Sequence, residues 1–126
     1  MEPEVRFSIR SRIRSFRFAI AGIRAFIRRE HNARIHLVAT VAVIVAAIVF
    51  HVSLAEAGAL IIVVSLVWIT EILNTCIERM ADLITAEQNP QIKFIKDIAA
   101  AAVLIAAITA VATGLIIFIP KILCKI

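Results

Sequence analysis

The sequence predicts an all-α membrane protein: an N-terminal amphipathic surface helix followed by three transmembrane helices. Three observations lead there. Hydrophobic residues make up 62% of the 126-residue chain, with only three Gly and three Pro, a composition of the membrane class rather than of small soluble domains. The apolar residues gather in three runs, about 33–52, 54–84 and 90–119, each suited to crossing a hydrocarbon core about 30 Å thick. The charge is placed very unevenly, with eight of the ten arginines inside residues 1–29. One domain covering 1–126 is expected.

The first element is the surface helix, 1–29. Ile9, Ile13, Phe16, Ile20, Ile23 and Ile27 recur at alternating spacings of four and three, which draws one apolar seam on a helix. Arg10, Arg14, Arg17, Arg24 and Arg28 surround that seam. A cleaved leader would run on into an unbroken apolar stretch, and this segment does not. The pattern predicts a helix lying in the membrane interface, its arginines among anionic headgroups. No nucleic-acid partner is expected, because the seam feeds straight into a membrane span.

The first span, about 33–52, follows a polar cluster at the membrane edge, Glu30-His31-Asn32-Ala33-Arg34-Ile35-His36. His31 and His36 read there as interfacial residues, not metal ligands. Ser53-Leu-Ala-Glu56 is a capping box, so the second helix starts after a very tight turn. His51 and Glu56 read as structural, and Trp68 as packing or part of an aromatic belt. A short polar link at 85–89 ends in Asn89-Pro90, a cap and first-turn pair that predicts the third helix start. The alanines at 99–102, 106, 107, 110 and 112, with Gly114, favour close helix–helix contact. Pro120 and Lys121 are expected to close that span. Cys76 and Cys124 have neither metal spacing nor the look of a disulfide framework.

Lysine and arginine placement predicts orientation. The N-terminal side of the first span holds nine arginines, Arg34 included, while 51–56 holds none. Arg79, Lys93 and Lys96 lie between spans two and three. The positive-inside rule puts the N-terminus and 78–97 in the cytoplasm and the C-terminus outside.

The chain is organised around Trp68-Ile-Thr-Glu71-Ile-Leu-Asn74-Thr-Cys-Ile-Glu78-Arg-Met-Ala-Asp82. At about 100° per residue, Glu71, Asn74, Glu78 and Asp82 share one narrow face of a helix that is apolar elsewhere. Acids at membrane depth are expensive and mark function. From a start at Leu54, Glu71 lies about 26 Å along the helix, near the far edge of the hydrocarbon, with Glu78 and Asp82 beyond it. Glu30, Arg34, Lys96 and Asp97 fall on the same membrane face. Carboxylates with an amide suit a hard cation such as Mg²⁺. Lysine and arginine suit phosphates. A carboxylate at the membrane edge suits removal of a proton from a lipid hydroxyl. No glycine-rich phosphate loop is present, which excludes the P-loop and protein-kinase folds.

Glu71-Ile-Leu-Asn74-Thr-Cys-Ile-Glu78-Arg-Met-Ala-Asp82, followed by Lys96-Asp97-Ile-Ala-Ala-Ala-Ala-Val-Leu, resembles the signature of the small bacterial diacylglycerol kinases and undecaprenol kinases. The resemblance runs from about Ser15 to Pro120 and is most specific in 71–82. It implies a lipid kinase that uses MgATP to phosphorylate a membrane lipid alcohol, diacylglycerol or undecaprenol. It further implies a homotrimer in the bacterial inner (cytoplasmic) membrane, with sites between subunits at the cytoplasmic surface. Carried over by position, Glu71 is the catalytic base, and Glu30 and Glu78 hold the metal. Arg17, Glu30, Asn74, Glu78, Asp82, Lys96 and Asp97 bind ATP. Arg12, Arg34 and Glu71 meet the lipid substrate, with Arg10 and Arg14 competing for the place given to Arg12. Glu30-His-Asn-Ala-Arg-Ile-His-Leu and Gly114-Leu-Ile-Ile-Phe-Ile-Pro120 look more like the undecaprenol kinase branch. The small-residue run is all Ala here, where many members carry a Gly.

Independently of the resemblance, three spans cannot wall a charged site off from lipid, so neighbouring subunits are expected to complete it. The alternative is a small ion- or proton-coupled transporter with Glu71 as the coupling carboxylate. Such sites sit near the bilayer midplane, often on broken helices. Acids that cluster at one edge and run out of the membrane favour chemistry on a soluble co-substrate.

Overall fold

A computed structural model describes residues 8–84 and 87–124. The expectations placed on residues 1–7, 85–86 and 125–126 lie outside it. The described residues form four helices and no strand: α1 Ile9–Arg29, α2 His31–Val49, α3 Leu54–Ile84 and α4 Pro90–Leu123. The last three are long and apolar enough to cross a membrane.

A single extended residue, Glu30, separates α1 from α2 (φ −102°, ψ 127°). Breaking a helix leaves its last carbonyls without partners. Arg34 supplies them: its Nε donates to Ile27 O at 3.3 Å and its Nη2 to Arg28 O at 2.6 Å. A cation on a helix C-terminus is also favoured by the helix dipole. Glu30 stands at the N-cap of α2 yet its carboxylate makes no capping bond there, which leaves it for α3.

The first span stops at Val49, short of the expected 52. The reason is a Schellman stop built without glycine. His51 N–H donates to Ile48 O at 3.2 Å and Val52 N–H to Ala47 O at 3.1 Å, and His51 takes the left-handed conformation (φ 49°) that glycine usually supplies. Ser53 and Glu56 then form the expected capping box, with Ser53 N–H to Glu56 Oε2 at 2.7 Å and Glu56 N–H to Ser53 Oγ at 3.2 Å. Asn89 Oδ1 accepts from Gln91 N–H at 2.9 Å and Ile92 N–H at 3.4 Å, capping α4 as the Asn-Pro pair predicts.

The third span also departs from expectation. α4 does not close at Pro120 but runs through it to Leu123. Proline removes one N–H, so it costs most in mid-helix. Here only one further turn follows, Cys124 N–H closes it onto Pro120 O at 3.0 Å, and Lys121 is tied to Glu56 of α3 at 3.0 Å.

α3 packs most extensively on α4 and also meets α2. Its buried stripe is Leu60, Val63, Val67, Glu71, Asn74 and Ala81, at the three-and-four spacing of one helix face. Ala99, Ala106 and Ile117 are the buried residues of α4. The core-facing stripe of α3 therefore changes chemistry at position 71. Below it the stripe is aliphatic; from it the buried members are Glu71 and Asn74, with Ala81 two turns further on. At 1.5 Å per residue, α3 and α4 are about 46 and 51 Å long, well beyond a hydrocarbon core of about 30 Å. Counted from Leu54, such a core ends near Asn74, which leaves Glu71 at its edge and Glu78 and Asp82 in the overhang. Cys76 and Cys124 are free thiols.

Candidate active site

Each polar residue of the α3 stripe is met from a different direction. Glu71, 4% exposed, accepts or shares a hydrogen with His36 of α2, whose Nε2 lies 2.9 Å from Glu71 Oε1. One turn on, Asn74 Nδ2 donates to Glu78 Oε1 at 3.1 Å. Arg79 leaves the stripe and reaches the helix break, where its Nη2 donates to Glu30 Oε1 at 2.6 Å. Asp82 Oδ1 accepts from Lys96 Nζ of α4 at 2.9 Å, and Lys93 pairs with Asp97 one turn away on α4. The site thus draws on the α1–α2 break, α2, α3 and α4, all at one end of the bundle.

Asn74 is 8% exposed. Its donation to Glu78 turns its Oδ1 into the remaining acceptor, and among the described residues that buried oxygen has no partner. An unmet buried acceptor costs about 1–3 kcal/mol. It asks for a ligand with positive or donor character. Asn74 lines a cavity of about 380 Å³ between α3 and α4, with Thr70, Ile77, Phe94 and Ala99 among its other walls. A separate cavity of about 870 Å³ lies along the membrane-edge link, lined by Asp82, Asn89, Lys93, Lys96 and Asp97 among others. Both volumes fall within the roughly 300–1,000 Å³ range of small-molecule sites.

Among the described residues, no group of three or more His, Cys, Asp or Glu side chains converges into a ready-made metal cluster. Mg²⁺ does not need one. It is commonly held by one or two carboxylates, with substrate phosphates and water completing the shell. Glu78 and the unpartnered Asn74 Oδ1 are hard oxygen donors on adjacent turns, so the donor chemistry fits that cation. Glu30 is occupied by Arg79 in this state.

The remaining expected residues fall elsewhere. Arg17 lies on α1 with Arg24, Arg28 and Arg29 along one basic cavity. Arg12 is one turn from the start of α1, its N–H on Ser8 O at 3.2 Å. Arg34 holds the α1 carbonyls through Nε and Nη2. Two site residues escaped sequence reasoning. Arg79 was read only as topological charge, and His36 only as interfacial. A signal for His36 did exist. Counted from the α2–α3 turn, His36 and Glu71 lie about 21 and 26 Å out along their helices, within one helical turn of the same depth.

Residues 17–118 match the family model for prokaryotic diacylglycerol kinase. Over 110 residues the chain is 40% identical to a diacylglycerol kinase of Synechocystis sp., an alignment covering 86% of this chain and 63% of that protein. The chain thus spans a little under two thirds of that relative's length. It is also 36% identical over 108 residues to an undecaprenol kinase of Bacillus subtilis, covering 86% of this chain and 88% of the relative. The match takes in every expected site residue except Arg12, and the chain belongs to the prokaryotic diacylglycerol kinase family.

Proposed function

We propose that the protein is a lipid kinase that moves the γ-phosphoryl group of MgATP to the primary hydroxyl of a membrane lipid alcohol, undecaprenol or diacylglycerol. The observation that carries this is the switch in the buried stripe of α3. Aliphatic residues give way at Glu71 to a carboxylate that is 4% exposed, and Asn74, Glu78, Asp82 and Lys96 continue from it out of the apolar stretch. A lipid hydroxyl reaches such a site from the membrane, and a nucleotide reaches it from water. The relatives' names, one for each lipid, support the same chemistry.

In this reading Glu71 is the general base. As the lipid oxygen bonds to the γ-phosphorus, its proton passes to Glu71, and the β,γ-bridging oxygen leaves with ADP. The carboxylate then returns that proton to water. Lys96, steadied on Asp82, offers a cation to the phosphates. Glu78, with Asn74 Oδ1 and with Glu30 once released from Arg79, would hold Mg²⁺, which supplies charge neutralisation along the phosphate chain when bound. Arg17 and Asp97 complete the nucleotide side, and Arg12 and Arg34 the lipid side.

The arginine-rich α1 faces the cytoplasm in this reading, in a bacterial inner membrane. The chain works as a homotrimer. Asp82 and Asp97 side chains are more than half exposed in the single chain (66% and 61%), and Ala-rich α4 offers the close-packing surface that would cover them from a neighbour.

The test is phosphate transfer by purified protein in mixed micelles, with undecaprenol and diacylglycerol side by side. MgATP-dependent phosphorylation of at least one lipid is expected. ATP turnover without a lipid phosphate product, or no turnover with either lipid, overturns the reading.

A further inference from the structure

His36 was expected to do no more than sit at the interface. It stands instead with Nε2 2.9 Å from Glu71 Oε1, in a setting where the two side chains are only 22% and 6% exposed. The turn of α2 that carries it is clamped. Trp68 Nε1, three residues before Glu71 on α3, donates to Thr40 Oγ1 at 2.9 Å. The Thr40 hydroxyl in turn donates to the His36 carbonyl at 2.7 Å. Phe26 of α1 meets the Trp68 ring edge-on, with centroids 6.3 Å apart. Ala33, one turn before His36, is fully buried. Three helices therefore converge on the backbone that aims one imidazole at one carboxylate.

A carboxylate oxygen accepts, so the hydrogen of this contact lies on Nε2. That N–H occupies Oε1 and restricts rotation of a side chain that otherwise has three free torsions. The second oxygen, Oε2, is not engaged by His36.

We propose that His36 is the positioning residue of Glu71: its Nε2–H fixes the carboxylate so that Oε2 meets the lipid hydroxyl. The inference rests on the reading of Glu71 as the base. His36 does not carry the proton in this scheme. The hydroxyl proton goes to Oε2 and from there to water, and the imidazole keeps its hydrogen throughout. What it supplies is orientation, where small misplacements are costly.

The amides of Gln and Asn separate this from a role in helix packing alone. A Gln side chain places its N–H near the position of Nε2, whereas Asn is shorter and reaches only that of Nδ1. Neither titrates. His36→Gln is expected to keep the larger part of kcat. His36→Asn and His36→Leu are expected to lose about 10- to 100-fold in kcat with little change in the KM for MgATP. In a Glu71→Gln background, adding His36→Leu is expected to lower kcat no further, because the orienting contact then has no base to orient. Should His36→Leu fail to assemble, the Gln and Asn pair still decides. Equal kcat in those two variants overturns the proposal, as does Asn faster than Gln. Wild-type kcat in His36→Leu, with Glu71→Gln inactive, overturns the role of His36 and leaves the base reading intact. Near-wild-type turnover in Glu71→Gln overturns the base reading itself, and the proposal with it.

Discussion

The two ends of α3 carry the same acid in opposite circumstances. At the start of the helix, Glu56 is met by Ser53 in a mutual capping box and by Lys121 from α4. Its neighbours account for it completely, and its position follows from the need to begin a helix after a tight turn. Toward the other end, Glu71 is buried in line with Leu60, Val63 and Val67, where an aliphatic residue would complete the core. Asn74, one turn on, keeps an oxygen that nothing among the described residues satisfies. A polar group whose partners are all present stabilises the fold. One placed in the core stripe with capacity left over is held ready for a ligand.

The predictions probe that contrast in descending order of effect. Glu71→Gln keeps the shape and costs turnover most, about 10²- to 10⁴-fold in kcat for a lost general base. Glu78→Gln and Glu30→Gln come next. Each is expected to raise the Mg²⁺ concentration needed for half-maximal activity by about 10- to 100-fold, with partial rescue by excess Mg²⁺. Unchanged Mg²⁺ titrations in both would remove those residues from the metal site. At the other end, Lys121→Met should lower the melting temperature by a few degrees while turnover in the remaining folded protein stays at the wild-type level. A kinetic defect there would show that the two ends are not separate in function. The smallest effect belongs to His51→Gly. Relieving a left-handed non-glycine residue is worth about 1 kcal/mol, so a slight rise in melting temperature is expected, and a fall would contradict the Schellman account of the turn.

Much of the architecture was legible because it is local. The Ser53–Glu56 box and the Asn89-Pro90 start are written in consecutive residues and formed as written. The polar stripe was legible because helical periodicity alone puts Glu71, Asn74, Glu78 and Asp82 on one face. Two helix ends were misjudged for want of a local mark. The stop at Val49 uses a histidine where glycine is the usual sign, and the helix end past Pro120 depends on Lys121 finding Glu56 on another element. The contacts that assemble the site were hidden for the same reason. His36 with Glu71 and Arg79 with Glu30 span 35 and 49 residues, and only the register of α2 on α3 brings them together. Arg34 shows the converse. The resemblance places it on the lipid side, while the one-residue helix break at Glu30, four residues away, leaves carbonyls at Ile27 and Arg28 that its guanidinium also caps.

The most direct test applies one substitution to both glutamates of α3. Glu71→Gln and Glu56→Gln are prepared in parallel, and lipid phosphorylation, MgATP affinity and melting temperature are measured on the same samples. The account predicts a crossed result. Glu71→Gln should assemble, bind MgATP and melt like the wild type while phosphoryl transfer falls by orders of magnitude. Glu56→Gln should melt earlier and turn over normally at temperatures where it is folded. A Glu71→Gln protein that assembles and retains most of its turnover, or one whose activity falls only in step with its stability, would contradict the assignment of Glu71 as the base.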